Sequence, residues 1–229
     1  MEKVLVLLSG GIDSSLCLAI AVKKYGKDNV STLTFDYGQK NNNELKACKD
    51  IAEHYGVSNK IINISNLFDS EKCSLLASSD MKIPDISYDE QVKQNGLTTS
   101  TNVPYRNGIM LSICAGYALS NDINLIYYGI HTEEGVAYDL YPDCGDEFNK
   151  AINEAIYIGS GKKVSVEAPL SGMFKRDVIK LGLEYNLPFE KTWTCYNNGD
   201  VACGKCCACI DRKKGFLENN HEDFIEYEG

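Results

Sequence analysis

The fold is decided by an apolar run that ends in a glycine turn, residues 4–15, which read Val4-Leu5-Val6-Leu7-Leu8-Ser9-Gly10-Gly11-Ile12-Asp13-Ser14-Ser15. Five consecutive Val and Leu residues are typical of a strand that is buried on both faces. The glycines let the backbone turn sharply, and the apolar spacing from Ser14 to Tyr25 predicts a helix. The chain therefore opens with a strand, a tight turn and a helix, which is the first unit of an α/β fold.

The alternation of strand and helix continues along the chain. Further strands are expected at residues 30–35, 60–64, 123–130 and 164–168, and further helices at residues 44–55, 106–119, 146–158 and 175–185. Strands that alternate with helices of this length indicate a parallel sheet covered on both faces, with ligands at the carboxyl ends of the strands. We therefore predict an α/β fold with a five-stranded, parallel, doubly wound (Rossmann-like) sheet.

Two stretches depart from this alternation. Residues 69–102 are polar and lack a clear period, and a loop of this length inside a compact domain is usually a lid or a disordered segment. We expect it to fold over the site and to order when ligand binds. Residues 191–229 hold five of the ten cysteines. We therefore divide the chain into an α/β domain, residues 1–190, with a lid-like insertion at 69–102, and a small appendage with a C-terminal helix, residues 191–229.

The composition favours a cytoplasmic protein that handles a small molecule. The net charge of −9 argues against stable binding of nucleic acid, because phosphate contacts need a basic face. No apolar run approaches the roughly 18 residues of a membrane helix, and the run at residues 4–8 is too short for a signal peptide. Cysteines crowded at one end of such a chain indicate a metal site rather than a disulfide scaffold.

The turn at residues 9–15 has the properties of an anion site. The N–H groups of Gly10 and Gly11, with a helix N-terminus behind them, would cradle a phosphate, and three serine hydroxyls add donors. Asp13 fits such a site if Mg²⁺ lies between its carboxylate and the phosphates. The lysine of a Walker A loop and the spacing of a dinucleotide-binding loop are both missing. The alternative without a ligand is a serine-capped helix after a glycine turn.

Four cysteines have the spacing of a closed metal site, C-x7-C-x2-C-x2-C, at Cys195, Cys203, Cys206 and Cys209. A C-x2-C step places two thiolates on one side of a tight turn, and four thiolates complete the shell of a structural zinc site. An iron–sulfur cluster and a redox-active C-x2-C pair are the alternatives. Cys207 lies inside a spacer and is either a bystander or a competing ligand. Because protein fills every position, the zinc would be structural.

Nearly the whole chain resembles a known family. The loop at residues 9–15 resembles the S-G-G-x-D-S signature of the PP-loop ATP pyrophosphatases, which have an adenine nucleotide alpha-hydrolase-like fold. More specific likenesses point to one family among them, the 7-cyano-7-deazaguanine (preQ0) synthases, called QueC. They are F-D-Y-G-Q-K at residues 35–40, V-P-Y-R-N at 103–107, Y-P-D-C at 141–144, Lys175 after P-L, and the segment from Thr194 through the four cysteines to Arg212, Gly215 and Phe216.

The resemblance implies a set of functional residues. Those that bind the nucleotide would be Leu8, Ser9, Gly10, Gly11, Asp13, Ser14 and Ser15. The catalytic residues would be Asp13, Lys175 and Arg106, where the two cations balance charge that grows on the α-phosphate. Those that bind the substrate would be Gln39, Lys40, Arg106, Asn107, Tyr141 and Asp143. Among them, Asp143 would accept hydrogen bonds from the N–H groups of the guanine-like edge. The zinc ligands would be the four cysteines.

The resemblance also implies the reaction. ATP with Mg²⁺ adenylates the carboxylate of 7-carboxy-7-deazaguanine, and ammonia displaces AMP to give an amide. A second ATP activates the amide, and loss of AMP gives the nitrile, preQ0, a step of queuosine and 7-deazapurine biosynthesis. This is the activity of a C–N ligase that releases AMP and pyrophosphate, and the family implies a homodimer.

Several positions depart from the family pattern. Lys40 replaces an arginine, Asn41 a histidine and Gly145 an arginine, and about three extra residues lie within 132–140. The uncharged Asn41 and Gly145 would open room for a larger acceptor, so one alternative joins the acyl group to a protein amine instead of ammonia. A tRNA-modifying enzyme such as a tRNA thiolase is disfavoured by the acidic charge and the filled cysteine shell. A zinc-stabilised nucleotide-binding module without activity is the non-enzymatic alternative.

Overall fold

The apolar run at the N-terminus forms the central strand of the sheet. The computed structural model describes residues 2–68, 70–95, 99–131 and 141–228. Within these residues the sheet has five strands: β1 Val4–Leu7, β2 Val30–Asp36, β3 Ser58–Asn63, β4 Leu125–Tyr128 and β5 Ser165–Glu167. All neighbours pair in parallel, in the order β3-β2-β1-β4-β5. The predicted fold class is confirmed.

Helices cover both faces of the sheet. In the described part of the chain they are α1 Ile12–Tyr25, α2 Asn43–Tyr55, α3 Tyr88–Asn95, α4 Arg106–Ser120, α5 Asp146–Gly159, α6 Lys175–Glu184 and α7 Cys207–Glu218. Leu5 and Leu7 of β1 face a core formed with α4 and α5, while Val4 and Val6 face a second core formed with α1, α2, α6 and α7. The predicted strand and helix bounds agree with these to within two residues.

The insertion at residues 69–102 is more structured than predicted. Leu75 and Leu76 are buried in the core beneath β2, and the Ala77 N–H donates to the Gly38 carbonyl at 2.8 Å. Helix α3 follows, and the expectation of a stretch without secondary structure was wrong there. This helix has eight residues, of which six are polar, so its sequence has too few apolar positions for a helical period to be recognised. Ordering on ligand binding stays a prediction.

Two expectations from composition can be compared with the structure. Within the described ranges, no helix is long and apolar enough to cross a bilayer. All ten cysteines are free thiols. The extra residues within 132–140 lie outside the described part of the chain.

A close approach of two backbones fixes the mouth of the sheet. Gly129 follows β4 and lies against the first turn of α1, where a Cβ atom would be 2.6 Å from the Ser14 nitrogen and 2.7 Å from the Asp13 carbonyl carbon. Real side chains do not pack that closely, so only glycine permits the contact. The approach carries His131, two residues later, to the side chain of Asp13.

We predict that Gly129→Ala lowers the free energy of unfolding by about 1–3 kcal/mol, because the added methyl group forces two main-chain segments apart. Urea denaturation measures the change. The control is Gly116→Ala in α4, where a Cβ atom meets nothing within 4 Å; it should raise stability by about 0.5–1 kcal/mol through helix propensity. Equal stability of Gly129→Ala and the parent would contradict the steric argument.

Candidate active site

A cleft lies at the carboxyl ends of β1, β2 and β4. It is bounded by the glycine loop, by the first turns of α2 and α4, and by the cysteine-rich segment. Parallel α/β sheets bind ligands at this edge, as the sequence predicted. Five of the seven residues expected to bind nucleotide line the cleft: Leu8, Ser9, Gly11, Asp13 and Ser14. Gly10 and Ser15 do not line it.

Internal hydrogen bonds and one glycine shape the loop. The Ser9 N–H donates to Ser14 Oγ at 3.1 Å, and Ser14 Oγ donates to the Gly11 carbonyl at 3.2 Å. Gly10 has a φ of 78°. A Cβ atom there would be 2.7 Å from the Glu44 carbonyl oxygen, so the loop packs directly on α2. Ser15 is fully buried beneath the loop.

Asp13 is the centre of a cluster of charged side chains. Lys175 Nζ lies 3.0 Å from both carboxylate oxygens of Asp13, and His131 Nδ1 lies 3.2 Å from Oδ2. Burial alone would raise the pKa of Asp13, but Lys175 and His131 outweigh it and hold that pKa well below its usual range. Asp211 completes the cluster, 3.7 Å from Lys175 Nζ and 3.8 Å from His131 Nε2.

Sequence reasoning missed His131 and Asp211. His131 lies three residues after β4, at the edge where ligands bind, and that position was the available signal. Asp211 lies between the last cysteine of the tetrad and Arg212, and nothing in the local pattern distinguishes it from a solvated helix residue. Only the packing of α7 against α6 brings it to Lys175.

A second cluster forms around Arg106 on α4. Its Nη1 donates to the Tyr37 hydroxyl at 3.3 Å, and its guanidinium carbon lies 5.3 Å from the centre of the Tyr37 ring. Glu44 lines the cleft with them, and burial raises the pKa of Glu44 to about 7 although Arg106 opposes that rise. Of the three predicted catalytic residues, Asp13 and Lys175 are therefore in contact, whereas Arg106 belongs to this second cluster.

The residues expected to bind substrate fall into two groups. Gln39, Arg106 and Asn107 line the cleft. Asp143 is buried, and its Oδ2 accepts the Asn107 backbone N–H at 2.8 Å at the start of α4. This carboxylate serves as a helix cap. Asp143 is not among the lining residues of the cleft.

Two more of the expected substrate residues lie away from the cleft lining. The Tyr141 hydroxyl is 2.7 Å from Thr101 Oγ1. Lys40 is directed outward, and its Nζ donates to the Met81 carbonyl at 2.8 Å. Tyr141 and Lys40 therefore each bond to a residue of the insertion at 69–102.

Two departures from the family pattern also lie outside the cleft lining. Asn41 is buried, where Nδ2 donates to the Cys195 carbonyl and Oδ1 accepts the Asn43 N–H. Gly145 directly precedes α5. Neither residue lines the described cleft, and the interpretation that they open room for a larger acceptor stays a prediction.

The four predicted metal ligands converge. The Sγ atoms of Cys195, Cys203, Cys206 and Cys209 all lie within 4.8 Å of one another and are buried. Cys203 and Cys209 are 4.0 Å apart, close to the edge of about 3.8 Å that a tetrahedron of Zn–S bonds of about 2.3 Å requires. The Cys206 N–H donates to Cys203 Sγ at 3.3 Å, as a thiolate ligand favours. Cys207 lies outside this group, so it is a bystander.

The cysteine segment is part of the wall of the cleft. The Trp193 N–H donates to the Gly10 carbonyl at 2.9 Å, and its indole N–H donates to the Cys195 carbonyl at 2.9 Å. Trp193, Tyr196 and Asp211 all line the cleft. A metal ion held by the four thiolates would therefore hold this wall in place.

The chain is similar to known proteins over its whole length. The family model described as "Queuosine biosynthesis protein QueC" matches residues 3–220. A 7-cyano-7-deazaguanine synthase of Pseudoalteromonas atlantica is 41% identical over 228 residues, which is 100% of both chains. One of Thermoplasma acidophilum is 38% identical, over 99% of this chain and 92% of its own.

A solved structure supports the fold. A predicted subunit of tRNA methyltransferase from Methanocaldococcus jannaschii superposes with a TM-score of 0.50. It is 20% identical, over 80% of this chain and 76% of that chain. At that identity the likeness shows the fold alone.

We predict that Glu44→Gln raises the melting temperature at pH 8 and leaves it nearly unchanged at pH 5. A carboxyl whose pKa rises on folding, here to about 7, holds its proton more tightly when folded, so stability falls as pH rises from about 4.3 through that value. Glutamine resembles the protonated form and avoids this loss. Thermal melts at both pH values measure it, with exposed Glu53→Gln on α2 as the control. An equal shift at both pH values would contradict the assignment.

We predict that Cys203→Ser lowers bound metal from about one ion per chain to nearly none, because three thiolates do not close the shell. Elemental analysis of the purified protein measures it. Cys207→Ser is the matched control from the same segment and should keep its metal. Retention by Cys203→Ser, or loss by Cys207→Ser, would show that the ligand set is different.

Proposed function

Because the chain belongs to the family of queuosine biosynthesis proteins called QueC, we propose that it converts 7-carboxy-7-deazaguanine, ammonia and ATP into 7-cyano-7-deazaguanine. Two named synthases of that nitrile match it along its full length. The geometric observation that carries the proposal is the meeting of the glycine loop with Lys175 at Asp13, inside a cleft large enough to include a second polar cluster. The reaction forms a C–N bond at the expense of ATP.

A carboxylate resists attack by ammonia because its charge repels the nucleophile and its oxygen leaves poorly. Transfer of AMP to the carboxylate solves both problems. The main-chain N–H groups of the loop would hold the β- and γ-phosphates, as loops before helix N-termini do. Lys175 then lies beside the α-phosphate, where its charge stabilises the crowded transition state and Asp13 fixes its position. His131 holds Asp13 from the other side.

Mg²⁺ fits the same end of the cleft. Asp13 and Asp211 are two carboxylates in one cleft, and Mg²⁺ in nucleotide enzymes binds one or two carboxylates together with phosphate oxygens. When bound, the ion neutralises phosphate charge. The side chains of Asp13 and Asp211 are the residues that would hold it.

We propose zinc as the metal of the cysteine tetrad. Four buried sulfur ligands with tetrahedral spacing suit Zn²⁺, and the shell leaves no position for a substrate. The ion would act structurally, holding Trp193, Tyr196 and Asp211 in the cleft wall. On this basis residues 191–229 serve residues 1–190 as a metal-stabilised wall of their active site.

The alternative acceptors are less well supported. The matched relatives are named for the nitrile, which favours ammonia over a protein amine. Asn41 and Gly145, the substitutions that suggested a larger acceptor, lie outside the cleft lining. The acidic net charge of −9 disfavours a tRNA substrate. A cytoplasmic location and a homodimer accompany the proposal, the first supported by ten free thiols and the second by family resemblance alone.

We predict that the purified protein converts ATP, 7-carboxy-7-deazaguanine and ammonia into AMP, pyrophosphate and the nitrile. Lys175→Met should reduce kcat by about 100- to 1,000-fold, the usual loss for a group that stabilises transition-state charge. Mass spectrometry of the products measures both. Lys180→Met, an exposed position on α6, is the control. Formation of ADP and orthophosphate, or full activity of Lys175→Met, would refute the mechanism.

A further inference from the structure

Glu44 lines the cleft near Arg106, but among the described residues nothing donates a hydrogen bond to its carboxylate. It lies in the first turn of α2 and is among the lining residues of the cleft. Within the described ranges, no hydrogen bond and no ion pair engages its oxygens. A half-buried carboxylate without hydrogen-bond donors is costly, because burial removes water and the charge of Arg106 offsets that loss only in part. A bound ligand with N–H donors would satisfy it.

Gln39 supplies a donor in the same cleft. Its Oε1 accepts the Tyr37 backbone N–H at 2.9 Å, and this bond fixes which end of the amide carries oxygen. The Nε2 group is therefore the free end, and Gln39 lines the cleft with only 8% of its surface exposed. The connection from β2 to α2 thus presents one buried amide donor and one carboxylate acceptor.

This pair matches one edge of a guanine-like base. The 6-oxo group of such a base accepts a hydrogen bond, while N1–H and the 2-amino group donate two. One carboxylate accepts both donors through its two oxygens, and an amide N–H serves the oxo group. Asp143, which the sequence suggested for this role, already caps α4 through Oδ2 and does not line the cleft.

The position of the pair also separates it from the phosphate end. Glu44 shares its electrostatic surroundings with Arg106 and Tyr37, whereas Asp13 shares its own with Lys175 and His131. The two clusters divide the cleft between a phosphate-binding end and an end with a free carboxylate. An activated carboxylate has to lie between them.

We propose that Glu44 and Gln39 form the specificity site for the pyrimidine edge of the deazaguanine, with Glu44 accepting N1–H and the 2-amino group and Gln39 Nε2 donating to the 6-oxo group. This inference rests on the proposed function and names the residues that read the base. Sites that bind a polar edge this way reject an analogue lacking that edge strongly, because the buried protein groups lose their partners.

Two isosteric variants test the pair in the metal-loaded enzyme. Glu44→Gln replaces one of the two acceptor oxygens by an NH2 group, which then faces an N–H donor of the base. Gln39→Glu keeps an oxygen for the Tyr37 N–H and removes the donor. Calorimetric titration with 7-cyano-7-deazaguanine should show about a 10- to 100-fold weaker Kd for Glu44→Gln, the usual effect of losing a hydrogen bond to a charged group. Gln39→Glu should weaken Kd by about 10-fold, because the oxo group loses its donor and meets an oxygen instead. The KM for ATP should change less than about threefold, and Glu53→Gln should match the parent in both.

An analogue without the 2-amino group tests which edge of the base the protein recognises. The parent should bind 7-cyano-7-deazahypoxanthine, which lacks the 2-amino group, at least about 10-fold more weakly than 7-cyano-7-deazaguanine. Glu44→Gln should lose most of that preference. An unchanged preference in Glu44→Gln, a raised KM for ATP with unchanged base affinity, or a loss of preference in Asp143→Asn alone would each overturn the inference.

The titration separates this inference from the proposed function. If the parent binds the deazaguanine and the variants bind it weakly, the inference stands even when no nitrile forms, and only the reaction is refuted. If the parent makes the nitrile and both variants bind like the parent, the reaction stands and the inference fails. A parent that neither binds nor reacts refutes both.

Discussion

The contact between Asp13 and Lys175 holds the active end of this molecule together. Asp13 lies in the first turn of α1 and Lys175 is the first residue of α6, so the ion pair joins the opening loop to a helix 162 positions later in the chain. His131 and Asp211 add a third and a fourth segment to the same point. Four segments of distant sequence therefore meet at one charged cluster, and the geometry of that end of the cleft depends on it.

The cysteine tetrad supports this arrangement from outside. Its backbone reaches the loop through the Trp193 N–H bond to the Gly10 carbonyl, and it carries Asp211 to the charged cluster. Arg212, fully buried, donates to both oxygens of Asp223 at 2.8 Å and so fastens the C-terminal tail to α7. The cysteine tetrad and the charged cluster are thus two parts of one wall of the cleft.

The sheet, both cores and the tetrad could be predicted from sequence because their signals are local. Apolar runs identify strands, and cysteine spacing encodes a turn that brings thiolates together. The role of a side chain could not be predicted where it depends on which neighbours the folded chain places around that side chain. Asp143 and Glu44 are both carboxylates near a helix N-terminus, but only the packing shows that Asp143 caps α4 and that Glu44 lines the cleft. Helix α3 was missed since polar residues dominate it.

The order of the strands has a consequence for the growing chain. β1 is the central strand, yet one of its two neighbours, β4, is 121 residues away, with Val4 paired to Leu125. Until residue 128 has been synthesised, one side of an apolar strand has no partner, and unpaired strand edges of this kind recruit other chains. More than half of the chain has been synthesised before β4 is complete and can pair with β1. Nascent polypeptides of this protein should therefore depend on chaperones that shield exposed backbone until the fourth strand arrives.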